Sequence, residues 1–280
     1  MHTPRRGLRL LASGLLVLIA ACVPVTPVPS PTPVPLPTLN PTATVIRTAT
    51  PTALSAAAPS PTVTPMPVVG LCSPLAVTPW HDLWKIDWQA FTMPSHYEGT
   101  KFRDNGHPGV DLVYYSRYGR PGIAGEGVQS VMDGTIASII YDRKPYGNMV
   151  MTETVYERIP SDLLALIPIP PGDSLYMVYA HLGDLPALHL GEPVTCGQAL
   201  GHVGNTGMTT GAHLHFETRW GPPGTQFPSM SYYSADYSDE EVDNYVLWRM
   251  SGTYTPFDPM NLLTLRLPTA TSSSVATPGQ

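Results

Sequence analysis

The distribution of proline limits how much of this chain can fold. There are 33 prolines in 280 residues, too many for one compact domain, and they are unevenly placed. From Val23 to about Val69 the sequence is rich in Pro, Thr, Ala and Val and carries a single charge, Arg47. Repeated Pro-Thr and Pro-Val steps favour polyproline II and supply no buried core. At about 3.1 Å per residue such a tether would reach roughly 140 Å if fully extended. Residues 22–69 are therefore expected to be a disordered linker acting as a stiff spacer, and residues 268–280, of similar composition, a disordered tail. Residues 70–267 remain as the globular candidate.

The segment before the linker reads as an export signal. Residues 1–21 carry Arg5, Arg6 and Arg9 and no acid, with an apolar run from Leu8 to Ala21 that is followed by Cys22. The run is short for a membrane-spanning helix, which needs about 20 residues. Ile19-Ala20-Ala21-Cys22 resembles the bacterial lipobox, in which the cysteine is acylated and becomes the mature N-terminus. The expectation is a lipoprotein signal over residues 1–21, with the protein exported and lipid-anchored at Cys22 to the outer face of a bacterial membrane. The competing reading is an ordinary signal peptide with an incidental cysteine.

Charge excludes one class of partner. The chain has a formal net charge of -6, and without its first 21 residues 12 basic side chains face 21 acidic ones, a net of -9. Phosphate binding needs clustered Lys and Arg, and no such cluster is present, so nucleic acid is not an expected partner. The three cysteines, Cys22, Cys72 and Cys196, form no CxxC pair, which leaves a thiolate zinc site or thioredoxin-like motif unsupported. With Cys22 acylated, Cys72 and Cys196 are an even pair in an oxidising compartment. They are expected to form a disulfide, the alternative being two buried thiols.

Within 70–267, short runs rich in Val, Ile and Tyr alternate with Gly, Pro and Asp. Strands are expected near Gly127–Met132, Thr135–Tyr141, Asn148–Val155 and Leu175–His181, with Asp133-Gly134 as a hairpin turn. Short helices are expected at Ser161–Ile167 and Glu240–Met250. The domain reads as mainly antiparallel β.

Four of the nine histidines fall in informative contexts. His107-Pro108-Gly109-Val110-Asp111 places an imidazole and a carboxylate, both good zinc ligands, around a plausible turn; alone, HxxxD is a weak signal. In the Gly204–Glu217 segment, GNTGMTTGAHLHFE, a glycine-rich loop feeds a strand on which His213 and His215 share a face. Metal binding is the commonest reason for such a pair, and an exposed edge strand is the alternative. Tyr179-Ala180-His181-Leu182 ends a strand-like run, where a lone histidine is usually structural.

Together these motifs resemble the lysostaphin/LytM-type zinc endopeptidases, in which HxxxD, Y-x-H-L and HLHFE occur in this order. The resemblance runs through about residues 105 to 220 and resumes near Phe257-Asp258-Pro259. It implies a mainly antiparallel β-sheet domain, barrel-sandwich-like, with an open groove, hydrolysing peptide bonds in bacterial peptidoglycan. It implies one zinc ion held by His107, Asp111 and His215, with His181 and His213 as the catalytic pair, their two roles undivided. The implied partners are peptidoglycan stem or cross-bridge peptides. Glu217 is expected either to orient a histidine from behind or to be an ordinary structural carboxylate. The alternative function is a non-catalytic binding module or an activator of other wall hydrolases, disfavoured because all five positions are occupied. Residues 157–174 and 221–256 lengthen the family pattern and are expected either to wall the groove or to be solvated surface.

Overall fold

The computed structural model describes residues 70–265. The expected signal, linker and tail lie outside these residues. In chain order the strands are β1 (Asp87–Gln89), β2 (His96–Glu98), β3 (Lys101–Phe102), β4 (Gly109–Leu112), β5 (Gly127–Gln129) and β6 (Gly134–Arg143). They continue as β7 (Gly147–Thr154), β8 (Ser174–Asp184), β9 (Pro193–Val194), β10 (Ala199–Val203), β11 (Leu214–Gly221) and β12 (Thr255–Phe257). Three α-helices are described: α1 (Ser161–Leu166), α2 (Asp239–Arg249) and α3 (Met260–Leu263). Every named strand pairing is antiparallel, in the order β1-β4-β11-β8-β7-β6-β9, with β10 joining β5 and β8, and β12 flanking β11.

The sheet is buried on both faces because successive side chains alternate. On β8, Leu175, Met177 and Tyr179 enter one apolar cluster and Tyr176, Val178 and Ala180 the other. The second cluster is closed by the 221–256 extension. Phe227, Met230, Tyr245, Trp248 and Tyr254 pack there against β6, β7 and β8, so this extension is core rather than solvated surface. Burying such side chains contributes about 1.5–3 kcal/mol each. Ser238 starts α2 with a capping box, its hydroxyl accepting from Glu241 N and Glu241 accepting from Ser238 N. The 157–174 extension lengthens the β7–β8 hairpin, as expected, and carries α1.

One local expectation fails. Asp133-Gly134 does not turn a hairpin, because β5 pairs with β10 while β6 pairs with β7 and β9. Asp133 Oδ1 accepts from Cys196 N at 2.8 Å and its carbonyl from Thr154 Oγ1 at 2.9 Å. A Cβ on Gly134 would lie 2.1 Å from the Glu153 carbonyl oxygen. The Asp-Gly pair thus marks a close crossing against β7 that only glycine permits. The Cys72–Cys196 disulfide is formed, with Cα atoms 5.5 Å apart across 124 residues of sequence.

Candidate metal centre and active site

Register places the site. On β11, His215, Glu217 and Arg219 stand opposite Ala180, Val178 and Tyr176 of β8, and therefore share the sheet face that α2 covers. Across the other ladder, His215 faces Asp111 and Glu217 faces Gly109. A Cβ on Gly109 would lie 2.7 Å from the His215 ring, so the glycine of HPGVD leaves room for that imidazole.

Three donors converge. His107 Nε2 lies 3.1 Å and His215 Nδ1 2.9 Å from Asp111 Oδ1, and the ligand atoms of all three residues fall within 4.8 Å of one another. His107 Nδ1 donates to the Ala90 carbonyl at 3.0 Å, which leaves its Nε2 lone pair for the cluster. On the far side of His215, Nε2 is 3.7 Å from Glu217 Oε2. Two imidazoles, each with a partner on its far side, and a carboxylate are a donor set that fits one zinc ion and leaves a position open.

Two further histidines adjoin the cluster. His181 Nδ1 donates to the Thr206 carbonyl and His213 Nδ1 to the Gly211 carbonyl, each at 2.9 Å. A carbonyl only accepts, so both rings carry their proton on Nδ1 and present Nε2 to the site. The ring centroids are 4.8 Å apart, and His213 Nε2 is 3.4 Å from Asp111 Oδ1. His181 also adopts φ 63°, a left-handed backbone uncommon outside glycine that costs about 1–3 kcal/mol. It is held there by its N–H on the Tyr146 carbonyl at 2.9 Å.

The loops behind His181 touch. A Cβ on Gly207 would lie 2.4 Å from Gly147 N, and one on Gly147 would lie 2.4 Å from Thr206. This contact seats the Thr206 carbonyl under the His181 ring.

The surroundings set the charges. Burial and the neighbouring His215 and His213 push His181 down to about 3, so its ring is neutral. Burial opposes the Asp111 charge, but the surrounding His107, His213 and His215 outweigh it and hold the carboxyl well below its usual range. Burial would also lower His215, but Asp111 and Glu217 raise it to about 9. Glu217, though fully buried, is held ionised chiefly by the Arg219 charge. Its Oε1 accepts from Arg219 Nε at 2.5 Å and its Oε2 from Tyr146 Oη at 2.9 Å. Glu217 thus both backs His215 and neutralises a buried arginine.

A cavity of about 340 Å³ opens over these residues, walled also by Trp88, Tyr146, Met208 and Arg249. All five expected site residues line it. Met208 belongs to the glycine-rich loop already singled out; sequence reasoning missed the other three walls. Trp88 lies on an edge strand of three residues, Tyr146 in the β6–β7 turn and Arg249 at the end of α2; none belongs to a motif.

Residues 106–226 match the family described as peptidase family M23. This segment is an M23 peptidase domain. The M23 match bears out the family resemblance carried by the histidine motifs. Among solved structures, a zinc-containing peptidase from Vibrio cholerae is similar at 24% identity, with 47% of this chain and 32% of that chain covered and a TM-score of 0.31. The catalytic domain of lysostaphin from Staphylococcus simulans is similar at 20% identity, with 66% of this chain and 99% of that domain covered and a TM-score of 0.37. LytU is similar at 23% identity, with 50% and 76% covered and a TM-score of 0.32. The chain spans about a third of the Vibrio cholerae protein's length.

Proposed function

We propose that this chain is a zinc-dependent endopeptidase that hydrolyses peptide bonds in the stem or cross-bridge peptides of bacterial peptidoglycan. The observation that supports the reading best is the convergence of His107, Asp111 and His215 beside two histidines that present Nε2 to the same cavity. A zinc ion held by His107, Asp111 and His215 would supply Lewis acidity, lowering the pKa of water towards about 7 and polarising the scissile carbonyl.

The chain's own residues do the rest. His181 and His213 each offer a ring nitrogen able to take a proton from the attacking water and return it to the leaving amine. Protonated, either can hydrogen-bond the developing oxyanion. The carbonyls of Thr206 and Gly211 fix both tautomers, and Glu217 holds the His215 ring from behind. The same reading has the domain, residues 70–267, exported and tethered by the 22–69 linker to a lipid at Cys22.

Digestion of purified peptidoglycan, with products identified by mass, tests this. New amino and carboxyl termini within the peptides, abolished by a chelator and restored by zinc, are expected. Release of whole stem peptides from the glycan would indicate an amidase instead. No products from zinc-loaded protein would indicate a binding module or an activator.

A further inference from the structure

Arg249 ends α2 and is the single Lys or Arg among the residues lining the site cavity. It is 8% exposed, and a cation buried this far is held in place by partners or is costly. Its partners are few. Nη2 donates to Asp104 Oδ1 at 2.9 Å, and Nη1 reaches Tyr146 Oη only at 3.4 Å. Nε has no partner among the described residues. A guanidinium carries five N–H donors, so most of its donor capacity is unused.

Its counter-charge is shared. Asp104 also accepts from Tyr245 Oη at 2.9 Å and from Tyr233 Oη. The acceptor on the other side, Tyr146 Oη, already takes Trp248 Nε1 at 3.1 Å while donating to Glu217. Arg249 is therefore a charged, rigidly seated fork in the wall of the cavity, incompletely satisfied by the chain around it. The planar fork matches a carboxylate, to which it can donate two parallel hydrogen bonds.

We propose that Arg249 is a specificity-determining residue that binds a free carboxylate on the substrate, so that the site selects peptides with an acidic group beside the bond cut. This rests on the reading of the site as that of a peptidase. The carboxylate would come from outside the 106–226 family segment's own side chains, supplied by the substrate and met by a residue of the 221–256 extension. A charge-assisted hydrogen bond in such a setting discriminates by about 10- to 100-fold.

The test uses one cross-linked stem-peptide fragment in two forms, with its free carboxyl groups intact or converted to carboxamides. Wild-type protein should favour the carboxylate form by about 10- to 100-fold in kcat/KM. Arg249→Gln should bring the two forms within about twofold of each other. Asp104→Asn, which removes the competing carboxylate and keeps Arg249, should widen the preference. Equal turnover of both forms by wild type overturns the proposal without any variant. So does an Arg249→Gln protein that slows both forms by the same factor, since a packing role leaves the ratio untouched. Affinity for both forms is measured alongside by calorimetry. Binding that prefers the carboxylate through Arg249, with neither form cut, would sink the hydrolase reading and keep this one.

Discussion

Asp111 and His215 stand directly opposite one another on β4 and β11, with Oδ1 of the carboxylate 2.9 Å from Nδ1 of the ring. Two of the three donors thus take their spacing from backbone pairing, which sets the separation of facing side chains. The third, His107, comes from the chain just before β4 and is aimed by the Ala90 carbonyl.

That arrangement separates the two histidines of the HLH strand. His215→Ala should lose both zinc and activity. His213→Ala and His181→Ala should keep most of the zinc while activity falls by about 10²-fold or more, the scale for losing a proton carrier or oxyanion partner. Zinc content and peptidoglycan hydrolysis are measured together on the three proteins. Loss of zinc from His213→Ala with retention by His215→Ala would reverse the assignment.

Glu217 carries two duties, and a neutral replacement should fail at both. Glu217→Gln leaves the Arg219 cation buried without its counter-charge, at a cost of about 3–5 kcal/mol. It also removes the acid behind His215, which should weaken zinc binding by about 10- to 100-fold. Denaturant unfolding and zinc titration read the two effects separately. An unchanged affinity would remove Glu217 from any part in holding the metal.

Gly207 should resist even the smallest side chain. Its φ is 77° and an added Cβ meets Gly147 N at 2.4 Å, so Gly207→Ala costs at least about 1–2 kcal/mol from conformation alone. The loop must shift, and the Thr206 carbonyl that seats His181 shifts with it. A displacement of about 1 Å at such a support costs up to about 10²-fold in rate. Zinc binding should change little, since no donor lies in that loop. Equal losses of zinc and activity would contradict this.

The Cys72–Cys196 bridge closes a loop of 124 residues, worth about 5 kcal/mol through the entropy of the unfolded chain. Cys72→Ser should lower unfolding stability on that scale. Thiol labelling of the unreduced, unfolded protein should find neither Cys72 nor Cys196 free.

Anchoring is tested at Cys22. Cys22→Ser should move the protein from the membrane fraction to the soluble one. Unchanged membrane association, or a mature N-terminus elsewhere, would refute acylation at this residue.

The five candidate residues that the fold brings to one cavity were legible because each sits in a short, regular pattern. An HxH pair shares a strand face whatever the strand's partners, and HxxxD and YxHL are as local. The frame was less legible. The Asp133-Gly134 turn failed because β5 finds its partner in β10, far along the chain, and nothing within ten residues of Gly127 signals that. Tyr146 and Arg249 were invisible for the same reason: 103 residues separate them, and only the folded sheet brings Arg249 Nη1 to Tyr146 Oη. The 221–256 extension has a helix legible in its sequence, but that its aromatic side chains close a second core follows from which face of β8 they meet.

The ladder between β4 and β11 has a consequence for the order in which the protein assembles. His215 and Asp111 are 104 residues apart in sequence, and β8, which carries His181, must also dock on β11. Contacts this distant form late, after the entropy of closing the intervening chain has been overcome. No contiguous fragment shorter than 107–215 contains all three donors, and none that stops before β11 has His215 at all. On the proposed reading, capture of an ion would therefore be a late event of folding, and a nascent chain that has made β4 through β8 would still lack one donor. On the same reading, metal loading would report that β11 has found its register against β4, because the three donors exist as a set only then.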